Sequence, residues 1–170
     1  MCNQVVFKEN CIYQHNICRI NYTMYDLHRE METINPKSDH QDIMLLAHAD
    51  GSSTHPFCYA RVLGIYHANV IYARPGARDY LSRHIEFLCV QWFEPMDGPA
   101  GYDHCALEIA KFVPMAKADA FGFIDPANIP RCCQFIPAYA EGQLHPNGIG
   151  ISHNSVTCDH QDWKLYYANW

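Results

Sequence analysis

The sequence predicts a mainly β fold with minor α content, a small β-barrel carrying short helical insertions and a C-terminal helix. Two long runs rich in β-branched and aromatic residues lead to it, Phe57–Tyr66 (FCYARVLGIY) and His84–Phe93 (HIEFLCVQWF). The turn-rich stretch Arg74-Pro75-Gly76-Ala77-Arg78-Asp79 lies between them, so they read as a hairpin. Several shorter runs of the same kind, divided by turn signals, complete the pattern of a closed small sheet.

Taken in chain order, residues 1–17 form a poorly defined N-terminal extension and residues 18–170 a single domain. Ile17–Tyr22 is a short strand by composition. From Thr23 onward Met24, Leu27, Met31 and Ile34 fall on one helical face, with Thr23 and Asp26 as caps and Pro36 as the stop. An extended reading of that stretch stays open. Ile43–Ala47 is a short apolar run, followed by the loop chemistry of Asp50-Gly51-Ser52-Ser53-Thr54-His55-Pro56. In His84–Phe93 alternation places Ile85, Phe87, Cys89, Gln91 and Phe93 on one face, and Glu86, Leu88, Val90 and Trp92 on the other. Both faces are mainly apolar, which marks a strand covered on each side. Ala120–Ile124 is another strand. Asp125-Pro126 supplies an N-cap and a proline at the first helical position, giving one turn around Ala127–Ile129 before extended chain resumes over Cys133–Ile136. Trp163, Tyr166, Tyr167 and Trp170 recur at helical spacing behind Asp159, the pattern of an amphipathic terminal helix.

With 170 residues and 49% apolar composition, the chain is long enough for one sizeable core and too apolar for disorder. Its net charge of −6 argues against non-specific coating of nucleic acid. No apolar run reaches the roughly 18–20 residues of a membrane span, and the N-terminus lacks a secretory pattern. The expected setting is nuclear or cytoplasmic, with the 9 cysteines as free thiols. Charge is unevenly shared. Arg61, Arg74, Arg78 and Arg83 against Asp79 leave residues 60–85 at +3, whereas residues 86–125 carry −5.

No metal site, cofactor or catalytic centre is expected. Cys11, His15 and Cys18, and His153, Cys158 and His160, lack the paired spacing of structural zinc, and Cys132-Cys133 would point to opposite faces of a strand. A nucleophile elbow and a glycine-rich phosphate loop are both missing. Aromatic residues are the remaining lead. Tyr59, Tyr66, Trp92, Phe93 and Phe123 flank the strands and could form a barrel-mouth cage for a methylated ammonium, or could equally be core packing. Arg61, Arg74, Arg78 and Arg83 are the alternative, a set of phosphate contacts for DNA.

The blocks YARVLGIYHANVIY, RHIEFLCVQWFEP and AFGFIDPANIPRCCQFIPAY, with INYTMYDLHREMETINPKS, LHPNGIGIS and DWKLYYANW around them, carry a likeness. Over residues 18–170 the chain resembles the C-terminal segment of proteins encoded by fungal Plavaka-type, CACTA-like DNA transposons. More distantly, Val90-Gln91-Trp92-Phe93 and Ile129-Pro130-Arg131-Cys132-Cys133 are similar to motifs of bromo-adjacent homology (BAH) domains. These resemblances imply an SH3- or BAH-like barrel, a non-catalytic module binding a protein or chromatin peptide, or a DNA-contacting accessory piece of a transposase whose catalytic core lies elsewhere. Cys58 and Cys89 stand where the resemblance implies Trp, and Cys132 where it implies Gly. Such losses of core volume suit a degenerate copy without retained function as a further alternative.

Overall fold

A computed structural model describes residues 5–23, 29–47, 56–73, 79–96, 107–146 and 162–169. Its backbone is overwhelmingly extended. The strands are β1 (Val5–Phe7), β2 (Tyr13–His15), β3 (Cys18–Thr23), β4 (Arg29–Ile34), β5 (Asp42–Leu46), β6 (Phe57–Tyr72), β7 (Arg83–Pro95), β8 (Glu108–Phe112), β9 (Phe121–Ile124), β10 (Arg131–Cys132), β11 (Gln134–Pro137) and β12 (Tyr166–Asn169). The only helical pieces among the described residues are single 3₁₀ turns at Lys8–Asn10, Pro126–Asn128 and Tyr139–Glu141. No helix among the described residues is long and apolar enough to cross a membrane.

The centre is the antiparallel hairpin β6–β7. β6 runs for 16 residues, roughly 50 Å at about 3.3 Å per residue, and outreaches its neighbours. The large sheet follows the order β10-β5-β6-β7-β8-β12-β11, with β1 and β2 paired to β6 and β9 paired to β7 off that path. Its two terminal strands are consecutive in the chain, separated by Cys133 alone, whose N–H donates to the Asp42 carbonyl at 3.1 Å. β3 and β4 form a separate hairpin sheet.

Register shows how one sequence fills two cores. A bulge between Val62 and Gly64 shifts the pairing with β7, so Ala60, Val62 and Ile65 stay on one face, opposite Trp92, Val90 and Leu88. That face packs with Ile43 and Leu45 of β5, Ile20 and Ile34 of the β3–β4 hairpin, and Ile129. The opposite face carries Tyr59 and Phe93, which pack with Met44, Phe112, Phe135, Cys133 and Tyr166 in a second, aromatic core. Phe93 stacks on Phe135 at 4.1 Å and on Phe112 at 4.2 Å, with Tyr166 edge-on at 5.6 Å. β7 is therefore covered on both faces along this half, as its two-sided apolar pattern predicts.

The predicted turn after Asp125 is present: Asp125 Oδ1 accepts the Ala127 N–H at 2.8 Å and Pro126 opens the turn. Two helical expectations are corrected. Arg29–Ile34 is a strand, with Ile34 opposite Cys18 and Met31 opposite Asn21. Met24, Asp26 and Leu27 lie outside the described residues. Tyr166–Asn169 is likewise a strand, seated between β8 and β11. Its alternation buries Tyr166 and Ala168. Satisfying two neighbouring strands and filling the aromatic core outweighs the helical spacing of its aromatic residues. Asp159 and Trp170 lie outside the described residues.

Candidate functional site

Beyond the bulge, β6 and β7 leave their covering strands behind, and each face of the hairpin becomes a surface. On the aromatic-core face, the pairs Gly64↔Cys89, Tyr66↔Phe87 and Ala68↔Ile85 extend the apolar stripe outward. A Cβ at Gly64 would fall 2.5 Å from the Tyr66 hydroxyl oxygen, so only glycine lets that ring lie along the strand. Tyr66 stacks on Phe87 at 5.6 Å, and Phe87 meets Phe123 of β9 edge-on at 5.7 Å. β1, paired to the far end of β6, contributes Val5 and Phe7, and Ile12 follows. Together they line an open groove of about 700 Å³ whose walls are almost wholly apolar. Phe123 is 72% exposed and Ile85 47% exposed, and with Tyr66 and Phe87 they form a contiguous apolar patch of the kind that marks an interaction site.

The five aromatic residues that the sequence offers as a cage fall in three places. Tyr66 and Phe123 share the groove. Tyr59 and Phe93, 1% and 5% exposed, are in the aromatic core. The Tyr59 hydroxyl donates to Glu108 Oε2 at 2.5 Å; burial and that bond push its pKa up. Trp92 packs on the other core, in a slot made by Gly122, where a Cβ would fall 2.7 Å from the indole nitrogen. Phe87 joins the groove from the face that alternation gives it. Nothing in the local sequence says where the covering strands stop.

The four arginines divide as well. Arg61 is not a surface cation. It is buried on the aromatic-core face directly opposite Asp42, with Nε–Oδ1 at 2.7 Å and Nη2–Oδ2 at 3.0 Å. Its guanidinium lies 5.1–5.6 Å from the ring centroids of Phe112, Tyr166 and Phe93. Burial alone would lower the arginine pKa, but the facing Asp42 outweighs it and the group stays charged. A phosphate role for Arg61 is thereby corrected: its donors are committed inside the fold. Arg83 is exposed and 3.7 Å from Asp79. Arg74 and Arg78 lie outside the described residues.

Four of the described thiols are held in the protonated form by their surroundings. Burial pushes the pKa of Cys18, Cys89 and Cys133 up, and Cys132 reaches about 12 through burial and the neighbouring Glu32. Cys58 and Cys132 pack against the aliphatic core, and Cys89 lines the groove. Among the described residues no group of three His, Cys, Asp or Glu side chains could hold a metal ion. No protein-family model, curated protein or solved structure matches the chain.

Proposed function

We propose that the chain is a non-catalytic interaction module, a BAH-like barrel derived from a DNA-transposon-encoded protein, that docks a segment of a partner protein or chromatin peptide in the Tyr66–Phe87–Phe123 groove. The observation that carries this reading is the uncovered apolar stripe itself. It is continuous with a well-packed core, carries three contacting aromatic rings, and opens to solvent. β10 and β11, the two ends of the sheet, do not pair and the sheet stays open among the described residues; their consecutive placement in the chain is what supports a barrel-like curl. The exposed Arg83, opposite Val70 at the outer end of the hairpin, favours a segment with apolar side chains in the groove and an acidic residue flanking them. DNA contact is the weaker reading, because Arg61 is unavailable to phosphate.

The test is selection of binders from a random-peptide display library on the full chain, followed by titration against Phe123→Glu. Selected peptides should pair apolar with acidic residues and lose about tenfold or more in affinity for the variant. Equal affinity for parent and variant refutes the groove. Binding to a DNA duplex that weakens steeply with salt, with no peptide selected, would instead favour the accessory-domain reading.

A further inference from the structure

The other face of the protruding hairpin is different. Where the aliphatic core ends at Ile65 and Leu88, the next positions outward are His67 opposite Glu86, and Asn69 opposite His84. β2 adds Tyr13 opposite His67, and His15 opposite Ile65. His67 is thus the middle of a ladder spanning three strands. Its ring stacks on Tyr13 at 4.7 Å, on His15 at 4.8 Å and against His84 at 4.4 Å. His15 Nε2 and His67 Nδ1 are 2.6 Å apart, so one ring donates its N–H to the other. His84 is held by Asn69 Oδ1 at 3.3 Å and Glu86 Oε1 at 3.4 Å. The N-terminal 3₁₀ turn contributes Glu9, which accepts the Tyr13 hydroxyl at 3.0 Å. β1 brings no titratable side chain to the face.

We infer that this imidazole ladder is a pH-sensitive latch that holds the N-terminal arm, β1 and β2, against the hairpin when neutral and releases it when protonated. The arm has few other fastenings. Both of its strands pair only with β6, and Val5–Ile17 is exposed throughout. The His15–His67 bond survives one proton, shared between the rings, but not two, since neither ring then offers a lone pair. A second proton also places cations in stacked rings, with Glu86 as the counter-charge opposite His67. Burial, then His84 and His15, hold His67 below the ordinary histidine pKa. A lowered folded pKa means the released arm binds protons more readily, so latching is complete above about pH 6.5 and is lost as pH falls below it. Val5, Phe7 and Ile12 wall the groove, so release would open one side of it. That consequence rests on the docking reading; the release itself does not.

The experiment is amide hydrogen exchange on the full chain between about pH 7.5 and pH 5.0, normalised for intrinsic exchange. Protection at Tyr13–His15 and Val5–Phe7 should fall several-fold at the lower pH while Leu88–Val90 remains protected. High salt should restore part of it by screening the imidazolium repulsion. His67→Phe keeps the stacking and removes the titration, so its arm protection should not respond to pH; His15→Phe serves should that variant not fold. Protection that is unchanged in the parent, or that falls equally in His67→Phe and His15→Phe, overturns the latch. A peptide-binding failure in Phe123→Glu leaves these exchange results unaffected.

Discussion

Replacing Arg61 with methionine tests whether the aromatic core is organised around an ion pair. Methionine keeps much of the side-chain volume but removes the two guanidinium donors from Asp42, which is 3% exposed and then keeps only the Phe135 backbone N–H. A buried carboxylate deprived of its partner costs about 3–5 kcal/mol, and the guanidinium contact with three rings is lost with it. Urea unfolding at neutral pH should therefore show Arg61→Met destabilised by about 3 kcal/mol or more. The second arm is Arg61→Met with Asp42→Leu, in which both charges are gone. Replacing a whole buried pair by apolar groups is near neutral, so the double variant should recover most of the loss, and the cycle should give a strong coupling. A pH arm checks the sign. Burial already pushes the Asp42 carboxyl up, against the pull of Arg61. In Arg61→Met that rise grows, so the penalty is absent below the unfolded pKa of about 4 and builds as pH climbs toward the folded value. The single variant should thus approach the parent in acid. A single variant within about 1 kcal/mol of the parent at neutral pH, or a double variant no better than the single, refutes the account.

Other substitutions probe separate parts of the fold. Gly122→Val should push the Trp92 indole out of its slot, lowering stability by about 1–3 kcal/mol and shifting the tryptophan emission. Glu32 accepts the Cys132 N–H at 2.6 Å and sits 3.7 Å from Arg131 Nε, tying the β3–β4 hairpin to β10. Glu32→Ala should cost about 1–3 kcal/mol and raise exchange at the Cys132 amide. Gln91 Oε1 is buried with no hydrogen-bond partner among the described residues. Gln91→Met should stabilise by about 1 kcal/mol in urea unfolding, and a loss of stability would show that the amide has an unrecognised role.

Local chemistry made some of this legible. Asp125-Pro126 encodes its turn completely, because cap and proline act within a few residues. The alternation of His84–Phe93 placed Ile85, Phe87 and Cys89 on a common face, which is the groove face. What escaped the sequence is set by distant partners. Tyr166–Asn169 becomes a strand because β8 and β11 offer it two edges, and those partners lie about 30–60 residues away in the chain. Arg61 reads as a surface cation until Asp42 is known to sit directly across from it. The groove and the histidine ladder exist only because β6 outruns β5 and β8, a matter of relative length that no single segment contains.

The position of β12 between β8 and β11 has a kinetic consequence. Tyr166 caps the aromatic core, yet its strand is the last described stretch of the chain to be synthesised. Until it arrives, Phe93, Phe112 and Phe135 lack the edge-on Tyr166 ring, and the β12-facing edges of β8 and β11 are bare, which exposes a nascent chain to mispairing. Assembly of this sheet waits on its final strand, and chaperone protection during translation would matter most in that interval.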